Sequence, residues 1–154
     1  MTMLRDATLA DLPALLALMP RLADFDLPPA RSREELWRGD AELLSAHLRG
    51  EVADRLARVA VSGDGALLGL TLVSLRPEAL SGEASAHLEV ILVAPSAEGT
   101  GLGRRLLTDA EQQAASHGAR SMTLHVFARN TRARRLYEAA QYDGELLRYL
   151  KRLG

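Results

Sequence analysis

Two stretches of the 154-residue chain carry residue types whose spacing fits chemistry. The first is Val93-Ala94-Pro95-Ser96-Ala97-Glu98-Gly99-Thr100-Gly101-Leu102-Gly103, with three glycines in five residues where a strand pattern gives way to a helical one. Glycine lets the backbone approach a ligand closely and turn several N–H groups the same way. A helix N-terminus adds unpaired donors and the positive end of the macrodipole, so an anion such as a diphosphate suits this loop. The same glycines would also serve a tight turn, and the loop alone decides little. Neither common nucleotide pattern fits it. Gly103 is followed by Arg104-Arg105 rather than Lys-Ser/Thr, and the dinucleotide fingerprint belongs near the start of a βαβ unit. The second stretch, Asn130-Thr131-Arg132-Ala133-Arg134-Arg135-Leu136-Tyr137, lies one helix and one strand downstream. Asparagine there suits a helix N-cap, and Tyr137 stands beside Leu136 at the spacing of a packed helical face.

Composition removes several alternatives. The chain has no cysteine, which excludes disulfides, thiolate metal sites and a cysteine nucleophile. Its four histidines are scattered without ligand spacing, so no metal site is expected. A formal net charge of −1 gives no long-range pull toward nucleic acid or an anionic membrane. No apolar run approaches the roughly 18 residues that span a bilayer, and no signal-peptide pattern opens the chain. These features predict a cytoplasmic protein with neither nucleic acid nor membrane as partner. The length predicts one domain over residues 1–154, long enough to bury a core without staples.

The elements that must position the two stretches follow from periodicity. Met3–Asp6 reads as a strand, and Leu9–Leu22 as a helix with Leu12, Leu15, Leu16 and Met19 on one face. Pro28-Pro29 marks a loop, after which Ser32 and Glu35 resemble a capping box for a helix running to Leu48. Leu56–Ser62 and Ala66–Leu75, joined by Gly63-Asp64-Gly65, read as a hairpin. Ala84–Val93 reads as a strand, Leu102–His117 as a helix stopped by Gly118, and Met122–Phe127 as a strand. Thr131–Ala140 then reads as a helix and Leu146–Leu153 as a last strand. The order β-α-α-β-β-β-α-β-α-β predicts a mixed α/β sheet with helices on both faces.

Together the two stretches resemble the acetyl-CoA site of the GNAT N-acetyltransferase superfamily. The family's loop pattern, Arg/Gln-x-x-Gly-x-Gly/Ala, is met by Gly101 and Gly103, and its Asn-x-x-Ala-x-x-x-Tyr by Asn130, Ala133 and Tyr137. Leu4-Arg5-Asp6-Ala7-Thr8 with Asp11-Leu12-Pro13 is similar to the usual first strand and helix, so the likeness covers almost the whole chain. It implies a mostly antiparallel central sheet, acetyl-CoA as acyl donor, and transfer of acetyl to an amine of a small molecule or peptide. Two departures stand out. Glu98 occupies the loop head where Arg or Gln is usual, and Gln141-Tyr142 replaces a common Gly-Phe. A carboxylate beside a diphosphate is electrostatically unfavourable unless it points away, which predicts weakened donor binding.

The resemblance also implies roles. Leu92, Val93, Glu98, Gly99, Thr100, Gly101, Leu102, Gly103, Arg104, Asn130, Ala133 and Tyr137 would line the donor site. A bulge in the preceding strand would free amides among Ile91, Leu92 and Val93 for the tetrahedral oxygen. A protonated amine needs a base, and Glu89 holds the position for it, with His87 and His125 as rivals. Tyr137 would protonate the leaving thiolate. Of the basic residues Arg104, Arg105, Arg129, Arg132, Arg134 and Arg135, one or two would meet the 3′-phosphate of CoA. In the segment between the first two helices, Asp24 and Asp26 would attract a cationic acceptor with Phe25 as an apolar wall. The alternative function is a non-catalytic acyl-CoA-binding sensor or scaffold, though a pure binder has no use for a thiolate acid. Many relatives pair into homodimers, but no interface is visible in the sequence.

Overall fold

The computed structural model describes residues 1–154. Five strands form one sheet in sequence order: β1 (Thr2–Asp6), β2 (Arg55–Ser62), β3 (Leu67–Pro77), β4 (Ala84–Val93) and β5 (Met122–Leu124). The first three pairings are antiparallel and β4–β5 is parallel. The hairpin turn is as expected, with Gly65 at φ 88° and its N–H bonded to the Ser62 carbonyl at 3.0 Å. Helices α1 (Leu12–Leu18) and α2 (Arg38–Leu48) cover one face. There Leu12, Leu15, Ala41 and Leu44 pack on Val59, Leu70, Leu72, Val90 and Leu92. Helices α3 (Leu102–Ser116) and α4 (Thr131–Ala139) cover the other, where Leu107, Ala110, Ala114 and Tyr137 meet Val73, Ala86 and Leu88. The mixed, mostly antiparallel sheet with helices on both faces is therefore present.

Contact between α3 and the sheet is close at Gly69. A β-carbon there would lie 2.6 Å from Leu106 Cδ1 and 2.9 Å from the Leu92 carbonyl oxygen, closer than packed atoms approach. Across the same interface Asp109 of α3 holds Arg58 of β2 through two hydrogen bonds of 3.0 and 2.9 Å. Both contacts fix the helix that carries the glycine loop at its N-terminus.

Three expectations need correction. The first predicted helix is interrupted: α1 is flanked by 3-10 turns at Leu9–Asp11 and Met19–Ala23. Pro20 has no N–H for the helical ladder, and its ring crowds the carbonyl four residues back. The reciprocal Ser32–Glu35 bonds form, with Ser32 N–H on Glu35 Oε1 at 3.2 Å, but they lie at the 3-10 turn Glu34–Leu36, whose N-cap is Arg33, and cap no α-helix. Trp37, at φ −135°, breaks the path before α2 begins. Finally, the predicted strand Leu146–Leu153 is absent, so the element order ends β-α. Leu146, Leu147, Tyr149, Leu150 and Leu153 are exposed there. The segment's one anchor outside itself is Arg152, which donates to the Ala30 carbonyl at 2.8 Å. A three-residue β5 offers a short edge on which such a strand could pair.

Candidate active site

The site grows from one irregularity in β4. Between β3 and β4 the pairing runs Thr71↔Ile91, Leu72↔Val90, then Val73↔Leu88, leaving Glu89 without a partner. An extra residue bulges a strand and changes which side chains share a face. Ala86 and Leu88 point to the α3/α4 face, whereas Val90 and Leu92 point to the α1/α2 face. Glu89 joins the second group and accepts a hydrogen bond from Ser74 Oγ of β3 at 2.9 Å. Arg76 Nη1 stands 3.9 Å from the same carboxylate oxygen.

At the bulge β4 also leaves β5, because parallel pairing stops at Leu88↔Leu124. The Ala94 N–H donates to the Leu68 carbonyl of β3 at 2.8 Å. Strand amides alternate edges, so the main-chain groups of Ile91 and Val93 face the other edge, which has no strand beside it. The resemblance implied free amides among Ile91, Leu92 and Val93; the register turns those of Ile91 and Val93 to the open edge but that of Leu92 to β3, and the bulge lies at Glu89.

The glycine loop follows directly. Pro95–Ala97 makes a 3-10 turn, and Gly99 and Gly101 take φ of 72° and 81°, where L side chains rarely sit. The first helical bond of α3 is Arg105 N–H to the Gly101 carbonyl at 3.2 Å. The amides of Leu102, Gly103 and Arg104 therefore lack helical acceptors. A methyl group on Gly103 would lie 3.7 Å from Leu136 Cδ2 and 3.9 Å from Val93 Cγ2, so α3, α4 and β4 converge at that glycine. Thr100 Oγ1 turns inward to the Ala97 carbonyl at 2.5 Å. Leu102 is buried beneath the loop, and Leu92 lies in the opposite core, so their side chains serve packing.

Asn130 is the N-cap of α4, its Oδ1 accepting the Ala133 N–H at 3.3 Å. One helical face then carries Ala133, Leu136 and Tyr137 into the core. The Tyr137 ring lies edge-on to Tyr142 with centroids 6.1 Å apart. Burial pushes its phenol up to about 12. Tyr142, at the position of the sequence departure, donates to Glu111 Oε2 at 2.6 Å and ties the end of α4 to α3.

The histidines sit together rather than as independent rivals. His87 is buried, with Nδ1 2.7 Å from Thr123 Oγ1, and its ring lies 4.7 Å from that of His125. Burial holds His87 down to about 4, so it is neutral at ordinary pH. Asp40, in the first turn of α2, is close enough to Glu89 to feel its charge. Burial, reinforced by the Glu89 charge, pushes Asp40 up to about 6. Sequence reading missed Asp40, since an acidic residue in a first helical turn is ordinary.

The loop at residues 24–26 is tied down. Asp24 pairs with Arg33 at 2.9 Å and Arg21 at 3.3 Å, and Asp26 pairs with Arg129 at 3.4 Å. Phe25 stacks on Phe127 with centroids 5.6 Å apart. Glu98 lies between two guanidiniums, those of Arg21 and Arg132. Arg21 was also missed; its partner Glu98 lies 77 residues away, and nothing local marks it. Of the basic residues, Arg104, Arg105 and Arg135 make no ion pair and stand exposed, Arg104 in the first turn of α3.

Comparison with known families decides the class: the sequence profile described as the Acetyltransferase (GNAT) family matches residues 17–142. The chain belongs to that family. It is accordingly an acetyl-CoA-dependent N-acetyltransferase. No curated protein matches it in sequence. Solved structures similar to this GNAT chain include an acetyltransferase from Trypanosoma brucei, 24% identical, covering 99% of this chain and 100% of its own, TM-score 0.71. An aminoglycoside antibiotic 6'-N-acetyltransferase from Acinetobacter baumannii is 18% identical with 100% of both chains covered, TM-score 0.71. A glucosamine-6-phosphate N-acetyltransferase from Arabidopsis thaliana is 16% identical, covering 100% of this chain and 99% of its own, TM-score 0.69. At these identities the likeness is one of fold. No helix of the protein is long and apolar enough to cross a membrane.

Proposed function

We propose that the enzyme transfers acetyl from acetyl-CoA directly to a primary amine of a small cationic acceptor, with Glu89 as the base. The observation that carries this reading is the bulge that turns Glu89 onto the α1/α2 face where β4 and β5 part. The donor's pantetheine arm would enter that gap with its thioester carbonyl near the Val93 amide, and Asn130 and Ala133 beside the arm. Its diphosphate would lie over Gly99, Gly101 and Gly103, within reach of the first-turn amides of α3 and of Arg104.

An alkylammonium near pKa ~10.4 must lose a proton before it can attack. Glu89 takes that proton, directly or through water. The amine nitrogen then bonds to the carbonyl carbon, and the oxygen charge that develops is held by the free backbone N–H groups. Collapse re-forms the carbonyl and breaks the C–S bond; the nitrogen gives up its second proton as the sulfur gains one. Tyr137 stays protonated because burial holds it near about 12. That places it well above a thiol at ~8.5, so its part is a hydrogen bond to the departing sulfur more than an outright proton donation.

Asp40 and Glu89, two carboxylates within reach of each other's charge, favour an acceptor that arrives as a cation. His87, held neutral by burial, adds no competing charge at neutral pH.

The test is calorimetric titration with acetyl-CoA followed by a thiol-release screen of amines against alcohols. Binding of acetyl-CoA and CoA release with primary amines is expected. Binding without release to any amine, or release to alcohols alone, would overturn the reading.

A further inference from the structure

Glu98 is the one residue of the glycine loop that opposes its chemistry. It precedes Gly99 and Gly101 at the head of the loop, where an anion of the donor is expected, and it carries a negative charge itself. Its carboxylate does not point away. It bridges Arg21, from the 3-10 turn after α1, and Arg132, from the first turn of α4, the latter at 3.3 Å. Three segments far apart in sequence thus meet at one carboxylate. The two arginines hold the Glu98 carboxyl below its ordinary range, Arg21 contributing most.

The two guanidiniums are held differently. Arg21 is anchored without Glu98: its Nε donates to the Val93 carbonyl at 3.0 Å and its Nη1 to Asp24 at 3.3 Å. Arg132 has Glu98 as its sole ion-pair partner, and its side chain is 72% exposed. Removing the carboxylate would therefore leave one fixed cation and one free cation beside the loop. Arginine forks suit phosphate oxygens as well as carboxylates, and a diphosphate diester offers two charges where Glu98 offers one. The clasp itself is exposed enough that breaking it takes little.

We infer that Glu98 is an internal stand-in for the donor's diphosphate: it clasps Arg21 and Arg132 in the free enzyme and is displaced when acetyl-CoA binds, handing both guanidiniums to the phosphates. The inference rests on acetyl-CoA as donor, as set out above. It replaces the earlier expectation of a loop merely weakened by a misplaced charge. The chain carries its missing loop cation on two other segments, and Glu98 makes the site selective for a ligand with enough negative charge to compete.

The experiment compares wild type, E98Q and R132Q by calorimetric titration with acetyl-CoA and with S-acetylpantetheine, which lacks the diphosphate. Circular dichroism melts check that each variant is folded. E98Q is expected to tighten acetyl-CoA about 3- to 10-fold, the scale of one partly exposed ion pair, and to leave acetylpantetheine unaltered. R132Q is expected to weaken acetyl-CoA, and by a larger factor when it is added to E98Q, where no carboxylate competes for the guanidinium. Weaker or unaltered acetyl-CoA binding by E98Q would mean that Glu98 only orients the arginines, and the inference falls. Equal tightening of both ligands would also overturn it, since the effect would not come from the diphosphate. Failure of wild type to bind acetyl-CoA at all is a different result, because it removes the donor site itself.

Discussion

On the proposed reading, the donor half and the acceptor half of this enzyme are built from different materials. The donor half is mostly main chain, with glycines at positive φ, first-turn amides of α3 and the unpaired edge of β4 seated on regular elements, and Arg21 and Arg132 as its side-chain cations. The acceptor half is side chain: Glu89, Asp40, Ser74 and Arg76, brought together by a bulge and the start of α2. Main-chain groups would recognise what the donor brings to any acceptor, a diphosphate and a thioester. Side chains on an irregular connection can vary without disturbing that frame. One half would therefore tolerate mainly backbone-compatible change, and the other would carry specificity.

The largest effect expected from this division is at Glu89. Glu89→Gln keeps the Ser74 contact but removes the base, and should lower kcat with an amine acceptor by about 10²- to 10³-fold. Acetyl-CoA affinity, measured by titration, should not move. A parallel loss of donor affinity would mean that the halves are not separable at the bulge. Tyr137→Phe should lower kcat less, about 10- to 30-fold, because a phenol held near about 12 supplies a hydrogen bond more than a proton. Pre-steady-state release of CoA is the measurement, and a loss as large as that of Glu89→Gln would restore full proton transfer to Tyr137.

The same division explains what the sequence revealed. The loop glycines, Asn130 and Tyr137 belong to spaced local patterns on regular elements, so α3, α4 and β4 were legible nearly to the residue. A bulge was expected for the donor edge, but nothing local in Leu88-Glu89-Val90 marks Glu89 as the extra residue. Asp40 and Arg21 act through partners far along the chain, which no window of sequence contains. Leu146–Leu153 failed in the other direction. Its residues favour a strand, but a strand needs an edge to pair with, and propensity does not supply one.

Asp40 sharpens the comparison through pH. A carboxyl raised to about 6 in the fold, against an ordinary 3.8, contributes stability that is present below 3.8 and lost as pH rises through 6. Asp40→Asn removes that loss, so above pH 6.5 the variant should be more stable than wild type by about 1–2 kcal/mol. The gap should close as pH falls toward 4. His87 works in the opposite sense: held down to about 4, its neutral form contributes stability that is lost as pH falls from 6.5 through 4. Urea melts between pH 4 and 8 should thus show a steeper acid loss in Asp40→Asn than in wild type. Equal curves would mean that Asp40 is solvated and plays no part in the acceptor side.

The smallest effect is expected where an acidic loop first suggested cation recognition. Asp24 and Asp26 already neutralise Arg21, Arg33 and Arg129, so they add little net field for an incoming amine. Asp24→Asn with Asp26→Asn should alter the acceptor KM by about twofold or less, because exposed ion pairs of this kind are worth little. Asp40→Asn should raise the same KM about 3- to 10-fold by removing an unpaired charge beside Glu89. Both sets are measured with one amine at saturating acetyl-CoA. A larger shift from the loop pair than from Asp40 would move the acceptor's recognition out of the gap and onto the Phe25–Phe127 rim. The line between a main-chain donor site and a side-chain acceptor site would then run through the loop instead of through the bulge.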